Sequence, residues 1–358
     1  RLAIFYYTGR LKKGTPLLIL AYPHPKTMAR LQFASEEMRA DKAVVLPAVG
    51  GDGLSLQYAS EGLRADWDVV RHALWNTGLA LKYASDGLRA DTTLVLEAVG
   101  HRVGNTEDEC ALQYASDELR ADKTVVLFAV CSFGLALEYA SNTLRADGEV
   151  VLKAVQSEGS ALEYASDALR ADKTTVLAAV ANDGFAWDYA SYELQHDREV
   201  QLKAVAQNGF VLYNIIELMN WVECSDRELL CMAVKTAGDM MRTASATLCR
   251  DRELVLAAVQ NNGTALRFAS IDLQMDKEVV IHAVQNGYSA QYLNETFCSD
   301  WDVMWHAVGV HGMALRYACT ELSADRQMVM RAIENDGNSF IYASYELQLD
   351  HRVAISAI

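Results

Sequence analysis

Residues Leu144–Val180 read LRADGEVVLKAVQSEGSALEYASDALRADKTTVLAAV, and within this stretch the pattern LRAD-x-x-VVL-x-AV returns after one step of 25 residues. Taking the Asp of RAD as a marker, the same step runs through the chain: Asp41, Asp66, Asp91, Asp122, Asp147, Asp172, Asp197, Asp226, Asp251, Asp276, Asp300, Asp325 and Asp350. That makes thirteen copies. Two steps are longer, 31 residues after Asp91 and 29 after Asp197, and one is shorter, 24 after Asp276. Self-similarity at such a period is the signature of an array of stacked supersecondary units.

Each marker reads as a helix N-cap, since a carboxylate there accepts orphan amides of the first turn and complements the helix dipole. Aliphatic residues follow at three, four, seven and eight positions, as in Val150, Val151, Ala154 and Val155. That spacing is one helical stripe. The seventh position is Ala in every copy, which predicts a close approach of neighbouring backbones where a larger side chain would overpack. Near the twelfth position comes Gly, for example Gly134, Gly159 and Gly184, read as a left-handed residue ending the first helix. A second short helix then carries Leu162, Ala165 and Leu169, with an aromatic beside the Ala in eleven copies. A Ser such as Ser141 or Ser166 is read as capping a last turn before the next marker. The expected fold is all-α: a right-handed α-solenoid of about thirteen short two-helix repeats over 28–358. Such short helices are marginal alone and must be held by stacking. At ~8–10 Å per layer, the stack would reach on the order of 100 Å, and its terminal copies should fray first.

Residues 1–27 are different in kind. The segment RLAIFYYTGRLKKGTPLLILAYPHPK (1–26) holds three of the four prolines and two β-rich runs around a Gly/Lys turn, which predicts a small β-hairpin or extended segment capping the first repeat. It contains five Lys or Arg and no acid; because the whole chain carries −15, the remaining residues carry −20. That field opposes phosphate binding, so no nucleic-acid partner is expected. The seven Cys show no motif spacing, and with 51% hydrophobic residues available for a core, disulfides are not required. A reducing intracellular compartment, cytoplasm or organelle, is the expectation. No apolar run is long enough to span a bilayer; the basic first 26 residues offer a route to peripheral association with a membrane complex. The last copy stops at Ile358 inside its stack, which leads to the expectation that a partner or further chain covers that apolar end.

Two insertions break the period, GHRVGNTEDEC at 100–110 and a stretch around 210–220, FVLYNIIELMNW. Insertions of this kind often mark contact faces in solenoids, the other reading being a tolerated drift insertion, and the second is the expected bend.

Candidate chemistry can be read column by column. His72, His282 and His306 share the sixth position after the marker, a place that also tolerates Pro47, Glu97, Phe128, Lys153 and Arg331. Such permissiveness describes a solvated face better than a ligand set, and no metal or other cofactor is expected. Cys224, Cys249 and Cys298 share a column two before the marker, read as small apolar fillers. In six N-terminal copies that column is Arg: Arg39, Arg64, Arg89, Arg120, Arg145 and Arg170. Two readings stand: a ladder for an extended acidic partner, or guanidinium groups each paired with a nearby Asp or a helix carbonyl. The aromatic column is read as core. Phosphate loops, H-E-x-x-H, G-x-S-x-G and paired C-x-x-C motifs do not occur, so no catalytic residue is assigned and the protein is not expected to be an enzyme.

The run ALEYASDALRADKTTVLAAVANDGFAWDYAS resembles the tandem repeats of the family called domain of unknown function 4116, over about residues 28–358. It departs from that pattern around 210–250 and 288–298. The pattern is also similar to leucine-rich-variant repeats of stacked short helices. The resemblance implies a helical scaffold and brings no substrate or site residue with it. The expectation is a non-catalytic scaffold binding a protein partner, as an adaptor or as a subunit of a multi-subunit complex. The alternative is an enzymatic or enzyme-associated module that uses the inserted loops.

Overall fold

The computed structural model describes residues 31–100 and 110–357. The hairpin expected over 1–27 and most of the 100–110 insertion lie outside these residues. The chain forms two compact units that divide between Ser116 and Asp117. Among the described residues there is no strand, only an isolated parallel bridge between Cys224 and Ala244.

The second unit shows the repeat at its most regular. After Asp147 a ten-residue α-helix runs Gly148–Ser157, and its Val150, Val151, Ala154 and Val155 are all buried. The chain then extends at Glu158, forms a 3₁₀-helix over Gly159–Tyr164, extends again at Ala165 and Ser166, and closes with one α-helical turn, Asp167–Arg170. The second helix expected from the sequence is therefore two pieces. The 3₁₀ form of Gly159–Tyr164 goes with its packing against the long helices on either side rather than with its length, since the shorter turn Asp167–Arg170 is α-helical. Long helices stack on long helices, with Gly148–Ser157 between Lys123–Ser132 and Lys173–Asn182. The 3₁₀-helices make a second layer, each packed against the long helices of its own and the following repeat. Leu137 and Leu162, fully buried, fill the space between the layers.

All thirteen marker carboxylates cap the helix that follows. Asp147, for instance, accepts the amides of Glu149 at 3.0 Å and Val150 at 3.2 Å. The glycine has a different reason from the one expected. Among the described glycines only Gly287 has positive φ, at 93°. Gly159 opens the 3₁₀-helix against the next repeat, where a Cβ would lie 2.5 Å from the Ala179 carbonyl oxygen. Gly134 faces Ala154 and Gly184 faces Ala204 in the same way, each at 2.6 Å. Where the Gly stands at the twelfth position, it and the invariant Ala of the next repeat are thus the two sides of one backbone contact.

The serine column is also corrected. Ser60, Ser85, Ser166, Ser270 and Ser344 make no side-chain cap bond, whereas Ser35 and Ser191 each accept an amide at 3.4 Å. What recurs is a backbone rung: the Ser N–H donates to the carbonyl two before the previous marker. Ser166 reaches Arg145 at 2.9 Å, Ser191 reaches Arg170 at 2.8 Å and Ser270 reaches Cys249 at 2.8 Å.

The first unit follows the same plan, with long helices Lys42–Gly51, Trp67–Leu74 and Thr92–Gly100 and rungs such as Ser60 to Arg39 at 2.9 Å. Two steps of the second unit depart from it. The four extra residues near 210–220 turn the 3₁₀-helix into an α-helix, Val211–Leu218, which ends at Asn220 with φ 51°. In the 24-residue step the chain turns at Gly287 and the 3₁₀-helix shrinks to Ala290–Tyr292. Neither Asn220 nor Asn294, which stand in the serine column there, makes the rung among the described residues.

Candidate functional site

Reading down the columns separates what holds the stack from what it presents. The position after each marker is often basic, and its side chain reaches the next repeat. Lys173 lies 2.9 Å from the capping Asp197 and 2.9 Å from Glu199; Arg198 lies 2.7 Å from both Asp226 and Glu228; Arg227, Arg252 and Lys277 continue the pattern to Asp300 and Asp302. Five consecutive steps are joined in this way. Lys173 holds the Asp197 carboxyl below the usual carboxylate range, Arg227 does so for Asp251 and Arg252 for Asp276. Exposed ion pairs contribute little singly, so this ladder is scaffold. The sequence signal was present as basic residues one after the marker and acids two after it.

The candidate site is, within each unit, the edge formed by the single turns before the markers. In the early copies each turn carries the column's Arg, and its head is acidic in all but one, where Asn142 stands. Arg89 pairs with Asp86 in the first unit; in the second, Arg120 pairs with Asp117, and Arg170 lies 3.5 Å from Asp167. Arg39 instead donates to the carbonyls of Leu31 (3.2 Å) and Gln32 (2.8 Å), and Arg145 to that of Tyr164 (2.5 Å). Pairing with neighbouring acids and carbonyls, the second reading of the Arg column, is what the geometry shows for these five. The Nε atoms of Arg64, Arg89, Arg120 and Arg170 are buried without a partner.

From Asp197 onward the edge changes character. The column two before the marker becomes Gln195, Cys224, Cys249, Gln274, Cys298, Ser323 and Gln348, so Gln recurs at every third repeat. Wherever Gln stands, the acid at the head of the turn is replaced by a large apolar residue: Tyr192, Ile271 and Tyr345 are 66%, 80% and 75% exposed. The residue just before the marker changes with them, from Ala to His196, Met275 and Leu349. Each Gln folds back on its own repeat, donating to the carbonyl of Asp188, Ala269 or Ile341 at 2.9 Å, which anchors the turn without a charge. The rings of Tyr192 and His196 lie in tilted contact, their centroids 4.2 Å apart and their planes at 45°. Three apolar knobs thus stand at a three-repeat spacing on this edge, two of them flanked by the exposed Met275 and Leu349. The coordinated change of three columns was visible in the sequence, but its exposure was not.

The other candidate residues are not brought together. His306 Nδ1 lies 3.0 Å from the Gln285 amide, and the His72 ring lies 5.3 Å from that of Trp75. Among the described residues no group of three or more His, Cys, Asp or Glu is placed to hold a metal. Cys224 is buried, its Sγ 3.5 Å from the Asp226 carbonyl, and burial pushes its thiol up to about 11. Cys249 and Cys298 are partly buried and face the carbonyls of Ala244 and Leu293. The cysteines form no disulfide among the described residues. The tyrosine column is half-buried rather than core, and burial with nearby Glu138 and Glu163 raises the Tyr164 hydroxyl. Among the described residues, no helix is long and apolar enough to cross a membrane.

The family model described as Domain of unknown function (DUF4116) matches in nine tandem segments, from 30–64 through to 325–358. The chain belongs to this family. Seven of the nine DUF4116 segments start on a marker, for example 66–120, 172–219 and 276–323, and they cover the 24-residue step and all but 220–225 of the 29-residue step. No curated protein and no solved structure matches the chain.

Proposed function

We propose that this DUF4116 protein is a non-catalytic helical-repeat scaffold, a right-handed solenoid that binds a protein partner as an adaptor or as a structural subunit of a larger assembly. The observation that carries the reading is the row of Tyr192, Ile271 and Tyr345, large apolar side chains more than half exposed and spaced three repeats apart in one unit. Exposed aromatic and aliphatic anchors in a polar setting are the usual energetic centres of interfaces. Three repeats correspond to about 25–30 Å of stack, a reach suited to an extended segment rather than to one small ligand. With −20 on residues 27–358, the partner is an extended protein segment of basic character carrying apolar side chains at matching intervals. The alternative of an enzymatic module draws no chemistry from the 210–220 insertion, where Val211, Leu212 and Ile215 are buried in the core.

The test is to isolate the native protein by size, identify its bound partner, and repeat the isolation with Tyr192, Ile271 and Tyr345 all changed to Asp. The scaffold reading expects a stoichiometric basic partner that the triple variant loses while its helical signal and melting temperature stay unchanged. A protein that runs strictly as a monomer without a partner, or a partner retained by the triple variant, contradicts it.

A further inference from the structure

The column ten residues before each marker is the main filler between the two layers of the stack. It is Leu31, Leu56, Leu81, Leu112, Leu137, Leu162, Trp187, Ile216, Met241, Leu266, Leu315 and Phe340, and in one copy alone it is Ala290. This small residue falls in the 24-residue step. Gly287, at φ 93°, swings the chain so that Tyr288 becomes buried beside the vacated place. The ring does not fill it. A half-open pocket of about 200 Å³ remains, walled by Val284, Tyr288, Ala307 and Ala314, with Ala290 as one face. On the other side of Tyr288 a second cavity of about 90 Å³ is lined by Ile271, Met275 and Phe297.

We infer that the larger cavity is a binding site for a small aromatic carboxylate, independent of the partner surface. Its size suits a single ring with a short substituent reaching the open side, since benzene fills an enclosed apolar cavity of about 150 Å³ and this pocket is larger and half-open. Tyr288 and Tyr317 offer aromatic walls. The outer side carries one cation, the exposed Arg316, and no carboxylate lines the space. Arg316 has no ion pair among the described residues and rests near the Tyr317 ring, 5.8 Å from its centroid. An anionic substituent entering beside this guanidinium completes its pairing, and a guanidinium binds a carboxylate in a defined two-pronged geometry.

The experiment uses the whole chain with ¹³C-methyl methionine, following the Met313 methyl, with benzoate as probe and benzyl alcohol as its neutral counterpart. So small a ligand is expected to bind in roughly the millimolar range. Ala290→Leu, which restores the residue type of the column and so keeps the fold, should weaken benzoate at least about tenfold by occupying the space. Arg316→Gln should weaken benzoate about fivefold and leave benzyl alcohol unchanged. Absence of a saturable Met313 shift up to about 10 mM benzoate, or equal binding by the Ala290→Leu variant, overturns the site. Equal binding of the two probes with no effect of Arg316→Gln overturns the carboxylate assignment.

Discussion

The repeats between Asp147 and Asp197 and the repeat between Asp276 and Asp300 share the same cap, the same Ala and the same buried stripe on the long helix, yet differ in what lies between the layers. In the first region Gly159 meets Ala179, Ser166 bonds to Arg145, and Leu162 is completely buried. In the second the step is one residue short, Asn294 makes no rung among the described residues, and Ala290 leaves a cavity. A long helix can tolerate the loss because its stripe repeats every turn. The 3₁₀ layer cannot, because its contacts are single backbone approaches fixed to one register.

The sharpest way to break this comparison is to exchange the fillers. Leu162→Ala should create in the regular region the gap that Ala290 leaves in the short one and cost about 2–5 kcal/mol in urea unfolding. Ala290→Leu should raise stability by roughly 1–2 kcal/mol. Opposite signs for the pair support one common column; a loss in both variants means that the short repeat is packed on other terms. Next in size come the glycines. Gly159→Ala forces apart two backbones and should cost about 2–3 kcal/mol. Gly287→Ala meets no atom within 4 Å and should cost only the strain of its positive φ, about 1–2 kcal/mol. Equal costs would show that Gly159 is not a contact residue.

Much of this architecture is legible in the sequence. The thirteen capping carboxylates and the stripe of Val150, Val151, Ala154 and Val155 follow from spacing alone, because an α-helix fixes which residues share a face. The glycine is placed correctly by its spacing but for the wrong reason, since nothing local distinguishes a left-handed C′ residue from one that must admit a carbonyl from 20 residues ahead. The split of the second helix is hidden for a similar reason: Gly159–Tyr164 is 3₁₀ because of what it packs against, and short apolar runs do not declare their helix type. Of the candidate site, the Gln at every third repeat can be read from columns. Whether Tyr192, Ile271 and Tyr345 face solvent cannot, because an aromatic or Ile in a short turn is equally compatible with core.

The smallest expected effects belong to the ion-pair ladder, which joins regular and irregular steps alike and so sharpens the comparison by staying constant across it. Arg227→Gln should shift the urea midpoint slightly at low ionic strength and not at all in about 1 M salt, where screening is complete within a few ångströms. The pH dependence follows from the same pairs. Asp197, Asp251 and Asp276 have carboxyls lowered in the folded state by Lys173, Arg227 and Arg252. Their contribution is therefore fully present above the unfolded carboxylate value of about 3.9 and is lost as pH falls through the lowered folded values. Urea midpoints should be flat from neutral pH to about 4 and fall below it; a fall beginning near pH 6 would point to the histidines instead.

Native-state amide exchange followed residue by residue tests the central claim most directly, because the rungs tie one repeat to the next through single N–H groups. Ser166, Ser191 and Ser270 should be protected at least about a hundredfold more than Asn294, whose repeat has lost the register. Uniform protection across the four, or fast exchange at the three serines, would contradict a stack held in step by these contacts.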